Sequence, residues 1–299
     1  MWSRRQLIAA GLATLVPRVG TPKDHMSDVI TRPIPSTKEL LPVIGLGSWQ
    51  TFDVADVAPI TPVVDKFLTL GGRVIDSSPM YGRSEAAIGA MLAQIRKAKP
   101  NAPTPFLATK VWTSGKDKGI AEMKRSLQRL GVTRLDLMQI HNLLDWKTHL
   151  PTLRAWKDAG TIRYIGITHY QESAFDEMER ILRTEKLDFV QLPYSVLDRA
   201  AEKRLLPAAQ AAGAAVLVME PFERGNVFSQ TKGKPLPPVA AELGCTSWAQ
   251  LALKWIVGHP AVNCPIPATS KVKHVEDNLG ALRGAIPTQT QRDAILAAL

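Results

Sequence analysis

Cysteine is scarce in this sequence. Cys245 and Cys264 are the only two in 299 residues, and their spacing is neither C-x-x-C nor metal-like. Buried thiols account for them, although an oxidising compartment would let them pair. Metal-ligand patterns are missing too: His141, His149 and His169 form no H-x-H or carboxylate-bridged set, which leaves a metal-dependent hydrolase without ligands. No apolar run reaches the roughly 20 residues of a membrane-spanning helix. The chain is basic, net +10 from 37 Lys and Arg against 27 Asp and Glu, yet the cations are scattered, with no run of five. That distribution argues against a nucleic-acid partner and for a small phosphorylated one. Gly45-Leu46-Gly47 lacks the third glycine of a dinucleotide fingerprint, which counts against an open doubly wound sheet. Repeats, low-complexity tracts and internal linkers are absent, so a single domain is expected.

The first 26 residues stand apart. Arg4-Arg5 precede an apolar stretch from Leu7 to Val16 and then Pro17-Arg18, which resembles a twin-arginine export leader. No A-x-A cleavage site is visible, and a basic N-terminal arm is the alternative. The expectation is export to the periplasm, with a cytoplasmic protein if the leader does not function; residues 27–299 form the folded domain.

Beyond the leader, short apolar runs alternate with helical stripes. Strands are predicted at Val43–Trp49, Arg73–Asp76, Phe106–Lys110, Leu135–His141, Ile162–Thr168, Phe189–Leu192, Ala215–Met219 and Val262–Pro267. Each is suited to a strand buried on both faces. Ser84 is a plausible N-cap for a helix whose Ile88, Met91, Leu92 and Ile95 recur at i, i+3, i+4 and i+7. Eight strands in alternation with helices predict an α/β fold, a single-domain (β/α)8 TIM barrel. Arg32–Thr37 reads as a short hairpin capping its floor, and Gln289–Leu299 as an outer C-terminal helix.

In such a barrel the C-terminal ends of the strands face the active site. Those ends carry Asp76 with Tyr81 in the loop beyond, Lys110, and His141. Singly, each could be an ordinary structural residue: a helix cap, a surface phenol, an edge charge, a core histidine. Together, an acid, a phenol, an amine and an imidazole on one rim point to catalysis. A phenol with an ordinary pKa near ~10 is a poor acid at neutral pH. A neighbouring ammonium, held by a carboxylate, is expected to pull that pKa down and let the phenol protonate a developing alkoxide. Side chains supply no hydride, so a nicotinamide cofactor is implied.

These residues resemble the aldo-keto reductase superfamily across the whole mature chain. Gly71–Gly89 is similar to the family's strand-two signature, with Asp76 and Tyr81 in the catalytic positions. Phe106–Trp112 (FLATKVW) resembles the lysine strand and Leu135–His141 (LDLMQIH) the histidine strand. Thr168-His169 stand where members carry the Ser-Asn pair that grips the nicotinamide carboxamide, and Gln191 matches the glutamine sharing that task. Ser48 joins the implied cofactor contacts. Met219 replaces a tyrosine that stacks on the nicotinamide, and Glu220 a small polar residue. Pro221, Phe222, Arg224, Gly225 and Asn226 are implied to lie over the pyrophosphate, with Arg224 as its charge partner. Ile266–Asn278 resembles the segment that holds the 2′-phosphate and adenine, implying contacts from Thr269, Ser270, Lys271, His274, Asp277 and Asn278. The cofactor so implied is NADP(H), with NAD(H) possible. Trp49 and Trp112 would wall the substrate site. The resemblance thus implies reduction of small aldehydes or ketones with Tyr81 as general acid. The sequence leaves the oligomeric state open, with a monomer favoured. A nicotinamide-binding regulatory or sensor protein with little turnover is the alternative. Export creates a tension, because free NADPH is not expected outside the cytoplasm; a cofactor carried out with the folded protein would resolve it.

Overall fold

The structure, a computed structural model, describes residues 29–299; the leader expectation lies outside the described residues. A small antiparallel hairpin comes first, β1 (Thr31–Pro33) and β2 (Leu40–Pro42). Eight parallel strands follow: β3 (Leu46–Gly47), β4 (Val74–Asp76), β5 (Phe106–Val111), β6 (Leu135–His141), β7 (Ile162–Thr168), β8 (Phe189–Pro193), β9 (Ala215–Met219) and β10 (Val262–Pro265). They are hydrogen-bonded in sequence order. The first and last meet where Gly45 and Gly47 donate N–H bonds to the carbonyls of Pro265 and Pro267, at 2.9 and 3.1 Å. A Cβ on Gly47 would come within 2.7 Å of the Ile266 carbonyl oxygen, so the closing seam needs a glycine there. The result is the expected (β/α)8 barrel.

Strand periodicity sorts the side chains into two layers. Ile75, Met138, Ile140, Ile165, Ile167, Val190 and Val216 face outward into the main core, where they meet apolar faces of the surrounding helices. Among these helices are α1 (Thr61–Thr69), α2 (Ser84–Ala98), α3 (Lys116–Leu130), α4 (Trp146–Asp158), α5 (Phe175–Thr184) and α6 (Leu205–Ala212). The α2 stripe of Ile88, Met91, Leu92 and Ile95 is buried as its spacing requires. Val74, Phe106, Ala108, Leu137, Tyr164, Phe189, Ala215 and Leu217 point inward and fill the lower barrel as a separate cluster. Ile34 and Leu41 of the hairpin join that cluster, so the hairpin plugs the floor as expected. It is longer than Arg32–Thr37, because its second strand is Leu40–Pro42. Arg32 ties it down by donating to the carbonyls of His259 and Val257, at 2.6 and 2.7 Å.

Between β9 and β10 the chain inserts the short α7 (Asn226–Thr231) and α8 (Pro238–Glu242) before α9 (Trp248–Val257). After β10 come α10 (Val272–Gly280) and the outer α11 (Gln289–Ala297). The last helix begins with a capping box between Thr288 and Gln291. Arg292 anchors α11 to the barrel wall: it bonds the Tyr194 hydroxyl at 2.6 Å and lies over the Trp255 ring. One cap expectation is corrected. Ser84 is the first helical residue of α2, Arg83 is the N-cap, and the buried Ser84 hydroxyl makes no capping bond. Ser84 cannot cap because Arg83 already has αR backbone angles, φ −85° and ψ 0°. Among the described residues no helix is long and apolar enough to cross a membrane.

Candidate active site

The inner face of each strand changes character along its length. Within β5, Phe106 and Ala108 lie in the lower cluster, while Lys110 ends in the mouth; β6 runs Leu137, Gln139, His141 in the same way. Parallel pairing then aligns the polar ends: Lys110 lies opposite Gln139, His141 opposite Thr168, and Thr168 opposite Gln191.

Lys110 is fully buried. Its Nζ donates to Asp76 Oδ2 at 2.6 Å and to the Ser77 carbonyl at 2.7 Å. Gln139 Nε2 donates to the other Asp76 oxygen at 3.2 Å. Burial alone would lower the Lys110 pKa, but the charges of Asp76 and Tyr81 and hydrogen bonds to both outweigh it, so the pKa is raised and the amine stays charged. Its ammonium lies 5.0 Å from the Tyr81 ring centroid. The loop after β4 reaches Tyr81 through a turn in which the Tyr81 N–H donates to the Ser78 carbonyl at 3.0 Å, and the chain leaves through Gly82 in the left-handed region, φ +62°.

The net shift on Tyr81 corrects one expectation. Burial raises its pKa, and Asp76 and Glu220 add to that, whereas Lys110 lowers it; the balance is upward. The amine therefore moderates a desolvated phenol rather than making it acidic outright. Tyr81 is thus protonated at neutral pH, and the charge of Lys110 acts in favour of its ionised form against the burial that opposes it.

His141 packs edge-on against Tyr81, centroids 5.7 Å apart. Its Nδ1 shares a 3.0 Å hydrogen bond with Ser78 Oγ. Burial, then the charge of Lys110, drive its pKa down to about 2. The ring is thus neutral throughout the working pH range, so it can orient an oxygen by hydrogen bonding but cannot act as a cationic acid. Trp112 packs 6.3 Å from His141, and Trp49 and Trp112 are 38% and 40% exposed, so neither indole is buried in the packed barrel end.

Other predicted contacts divide. Ser48, Thr168 and Gln191 are all buried, the last two paired in register. Thr168 Oγ1 donates to Gln191 Oε1 at 3.2 Å, while Gln191 Nε2 and Ser48 Oγ have no hydrogen-bond partner. His169 does not extend this pair in the way of an asparagine: its Nδ1 accepts from the Gln171 backbone, and its ring stacks on Tyr170. Met219 and Glu220 leave β9 half-buried, followed by Pro221, Phe222, Gly225 and Asn226 in the turn into α7. Arg224, the expected charge partner of a pyrophosphate, pairs with Glu220 at 2.9 Å and lies over the Trp49 ring. Left-handed backbone at Glu220, Glu223 and Arg224 curls the loop back on itself and makes this pairing possible.

At the start of α10, Thr269 Oγ1 meets His274 Nδ1 at 3.2 Å and accepts from the Lys271 backbone at 3.1 Å. Ser270 and Lys271 are exposed and Asn278 is buried. Asp277 faces the other way: Oδ1 accepts from Ser247 Oγ and Gln250 Nε2, both at 2.8 Å, and so pins α9 to α10.

Three supports of the site went unnoticed in the sequence: Gln139, Ser78 and the Ser77 carbonyl. Gln139 had a visible signal, since it precedes His141 by two in a strand and must share its face. The serines had none, because only the folded loop brings them to Lys110 and His141.

Comparison with known proteins supplies the family. A model of the aldo/keto reductase family matches residues 43–293. The chain belongs to that family. An uncharacterized oxidoreductase of Bacillus subtilis is 25% identical over 250 residues, 80% of this chain and 82% of that protein. One from Schizosaccharomyces pombe is 31% identical over 163 residues, 54% of this chain and about half of that protein, 51%. The fold is that of an aldo-keto reductase from Bacillus halodurans, in its holo form, with a TM-score of 0.74 at 23% identity, covering 90% of this chain and 96% of that one. A Klebsiella pneumoniae aldo-keto reductase in complex with NADPH gives 0.69 at 24% identity, covering 86% and 91%. As an aldo/keto reductase family member, the chain carries its titratable cluster at the end of the barrel where (β/α)8 enzymes hold their active sites.

Proposed function

We propose that this protein reduces small aldehydes or ketones with NADP(H), and that Tyr81 is the proton donor. One observation carries the reading: a fully buried ammonium, Lys110, held between the Asp76 carboxylate and the Tyr81 phenol. A buried charge of this kind is costly unless paired, and here it stands where a phenolate would form.

The mouth fits a nicotinamide. Gln191 Nε2 and Ser48 Oγ are buried and unpartnered, at a cost of about 1–3 kcal/mol each, and a carboxamide offers both an acceptor and a donor. Exposed Lys271 and Lys273 flank the N-terminus of α10, where backbone N–H groups and the helix dipole favour an anion such as a 2′-phosphate. The NADPH-bound Klebsiella structure supports the same choice. When bound, NADP(H) supplies the hydride.

The chain's own residues do the rest. His141, neutral, hydrogen-bonds the substrate oxygen and aims it at Tyr81. The Tyr81 hydroxyl gives its proton to that oxygen as negative charge develops there. Lys110 stabilises the resulting phenolate, and Asp76 and Gln139 hold Lys110 in register. Trp49 and Trp112 present flat apolar surface to the substrate body.

The test is NADPH consumption with a panel of small aldehydes and ketones, wild type against Tyr81→Phe. Turnover that the variant loses while still binding NADPH sustains the reading. NADPH bound but consumed with none of the panel replaces it with the sensor reading. For residues 1–26 we propose twin-arginine export to the periplasm, supported by Arg4-Arg5 ahead of the apolar stretch. The N-terminal mass of protein recovered from each compartment checks it.

A further inference from the structure

The opposite end of the barrel holds two adjoining cavities of about 570 and 590 Å³, which share Glu39, Arg134 and Arg163 as walls. We infer that this floor basin is a second ligand site, independent of the catalytic mouth, for a small organic phosphate monoester with a compact apolar body.

Both carboxylates lining the 570 Å³ cavity, Glu39 and Asp136, are already engaged. Glu39 accepts from Arg163 and from the Tyr164 hydroxyl. Asp136 accepts from Arg163 at 2.7 Å and from the Leu107 backbone at 2.8 Å. Arg163 is thereby held rigid, with its charge compensated. Arg96, from the last turn of α2, and Arg134, from the loop before β6, also line this cavity, and no hydrogen bond or ion pair joins either to a described residue. Two guanidinium groups from separate elements thus face one concavity without an anion. Guanidinium forks match phosphate oxygens in bidentate geometry. Arg73, which donates to the Leu68 and Gly72 carbonyls, also lines the cavity, so four guanidinium groups stand against two carboxylates, a balance that suits a group carrying about −1.5 to −2 better than a single carboxylate.

Shape and polarity specify the remainder of the ligand. Each volume lies within the ordinary range of small-molecule sites, roughly 300–1,000 Å³. Leu40, on the hairpin beside the arginines, is 61% exposed, an apolar side chain left in water at the basin's edge. An apolar body packed on it would gain burial that inorganic phosphate cannot. Chain direction separates the two sites: Leu107 near the start of β5 borders the basin, and Lys110 toward its end belongs to the mouth.

Isothermal titration of phenyl phosphate into the full chain tests the inference, run with and without saturating NADPH. Binding of one phenyl phosphate that NADPH leaves unchanged is expected. Arg96→Gln/Arg134→Gln should weaken it by roughly tenfold or more, with carbonyl reduction and melting temperature unaltered, since both side chains are exposed. Leu40→Ser should weaken phenyl phosphate but leave inorganic phosphate as it was. No binding at millimolar phenyl phosphate, displacement by NADPH, or equal affinity in the double variant each overturns the site. Equal affinity for inorganic and phenyl phosphate overturns the apolar component. The mouth enters this experiment only through NADPH, so a failed reductase reading and a failed basin give different results.

Discussion

The mouth and the floor of this barrel are made from opposite ends of the same strands, and they treat charge in opposite ways. At the mouth, Lys110 and Asp76 are taken out of water almost completely and depend on one another. Neutral polar atoms at the same end, Gln191 Nε2 and Ser48 Oγ, are left without partners. At the floor, Arg163, Glu39 and Asp136 stay partly in water and are hydrogen-bonded to each other, beside a packed layer of Phe106, Tyr164 and Phe189. Buried charge with unsatisfied neighbours stores free energy that a ligand can recover; half-exposed, paired charge contributes modestly to stability. The difference separates an end whose central ion pair is withdrawn from water from one whose Arg163 pairs remain in contact with it.

Substitutions can break or sharpen that contrast. Tyr81→Phe should cut carbonyl reduction by about 10²–10⁴ while NADPH-binding fluorescence and melting temperature hold, since only a hydroxyl is lost. Lys110→Met should lower stability by about 3–5 kcal/mol, because it leaves Asp76 buried and unpaired. Adding Asp76→Asn should recover much of that loss in a denaturant titration, without restoring turnover. At the floor, Ile34→Ala should cost a comparable or smaller amount, about 2–5 kcal/mol, and leave kcat unchanged. A fall in kcat there would show that the plug shapes the mouth.

The pH profile makes a finer test. With its pKa lowered to about 2, His141 is neutral across the range from about pH 5 to 8, so it contributes no acid limb there. Tyr81, with its pKa raised above the usual ~10 for a phenol, loses its proton only in strong alkali. Between about pH 5 and 8, kcat/KM for reduction should therefore carry no limb from either group, and His141→Gln should lower the rate without changing the shape. An acid limb near ~6.5 present in the wild type and absent from the variant would show that His141 is charged. The smallest effect belongs to Arg163→Gln: a loss of about 1 kcal/mol, read as a fall of roughly 2–4 °C in melting temperature, with unchanged activity.

The barrel was legible because each strand is buried on both faces. An uninterrupted apolar run such as Ala215–Met219, five residues between polar or glycine-marked segments, fits a buried parallel strand and is too short for a core helix. Chain direction then placed Asp76, Lys110 and His141 together at one end of the barrel. Less was legible wherever a side chain's partner depends on the path of a loop. Nothing near Arg224 announces that it turns to Glu220 and Trp49, since that depends on left-handed backbone at three non-glycine residues. The short α7 and α8 carry too few turns for a hydrophobic stripe. Ser84 has the right residue type for a cap but sits one position inside the helix.

Local pattern by itself determined the order of the elements and the identity of the groups at the mouth. Those follow from chain geometry and from which residues can leave water. Only the tertiary structure decided how acidic the phenol is, which nitrogen of His141 is engaged, and which arginines go unpaired. These are sums of desolvation and distance-dependent charge over residues from several strands, and no single stretch of sequence contains all the members of the sum.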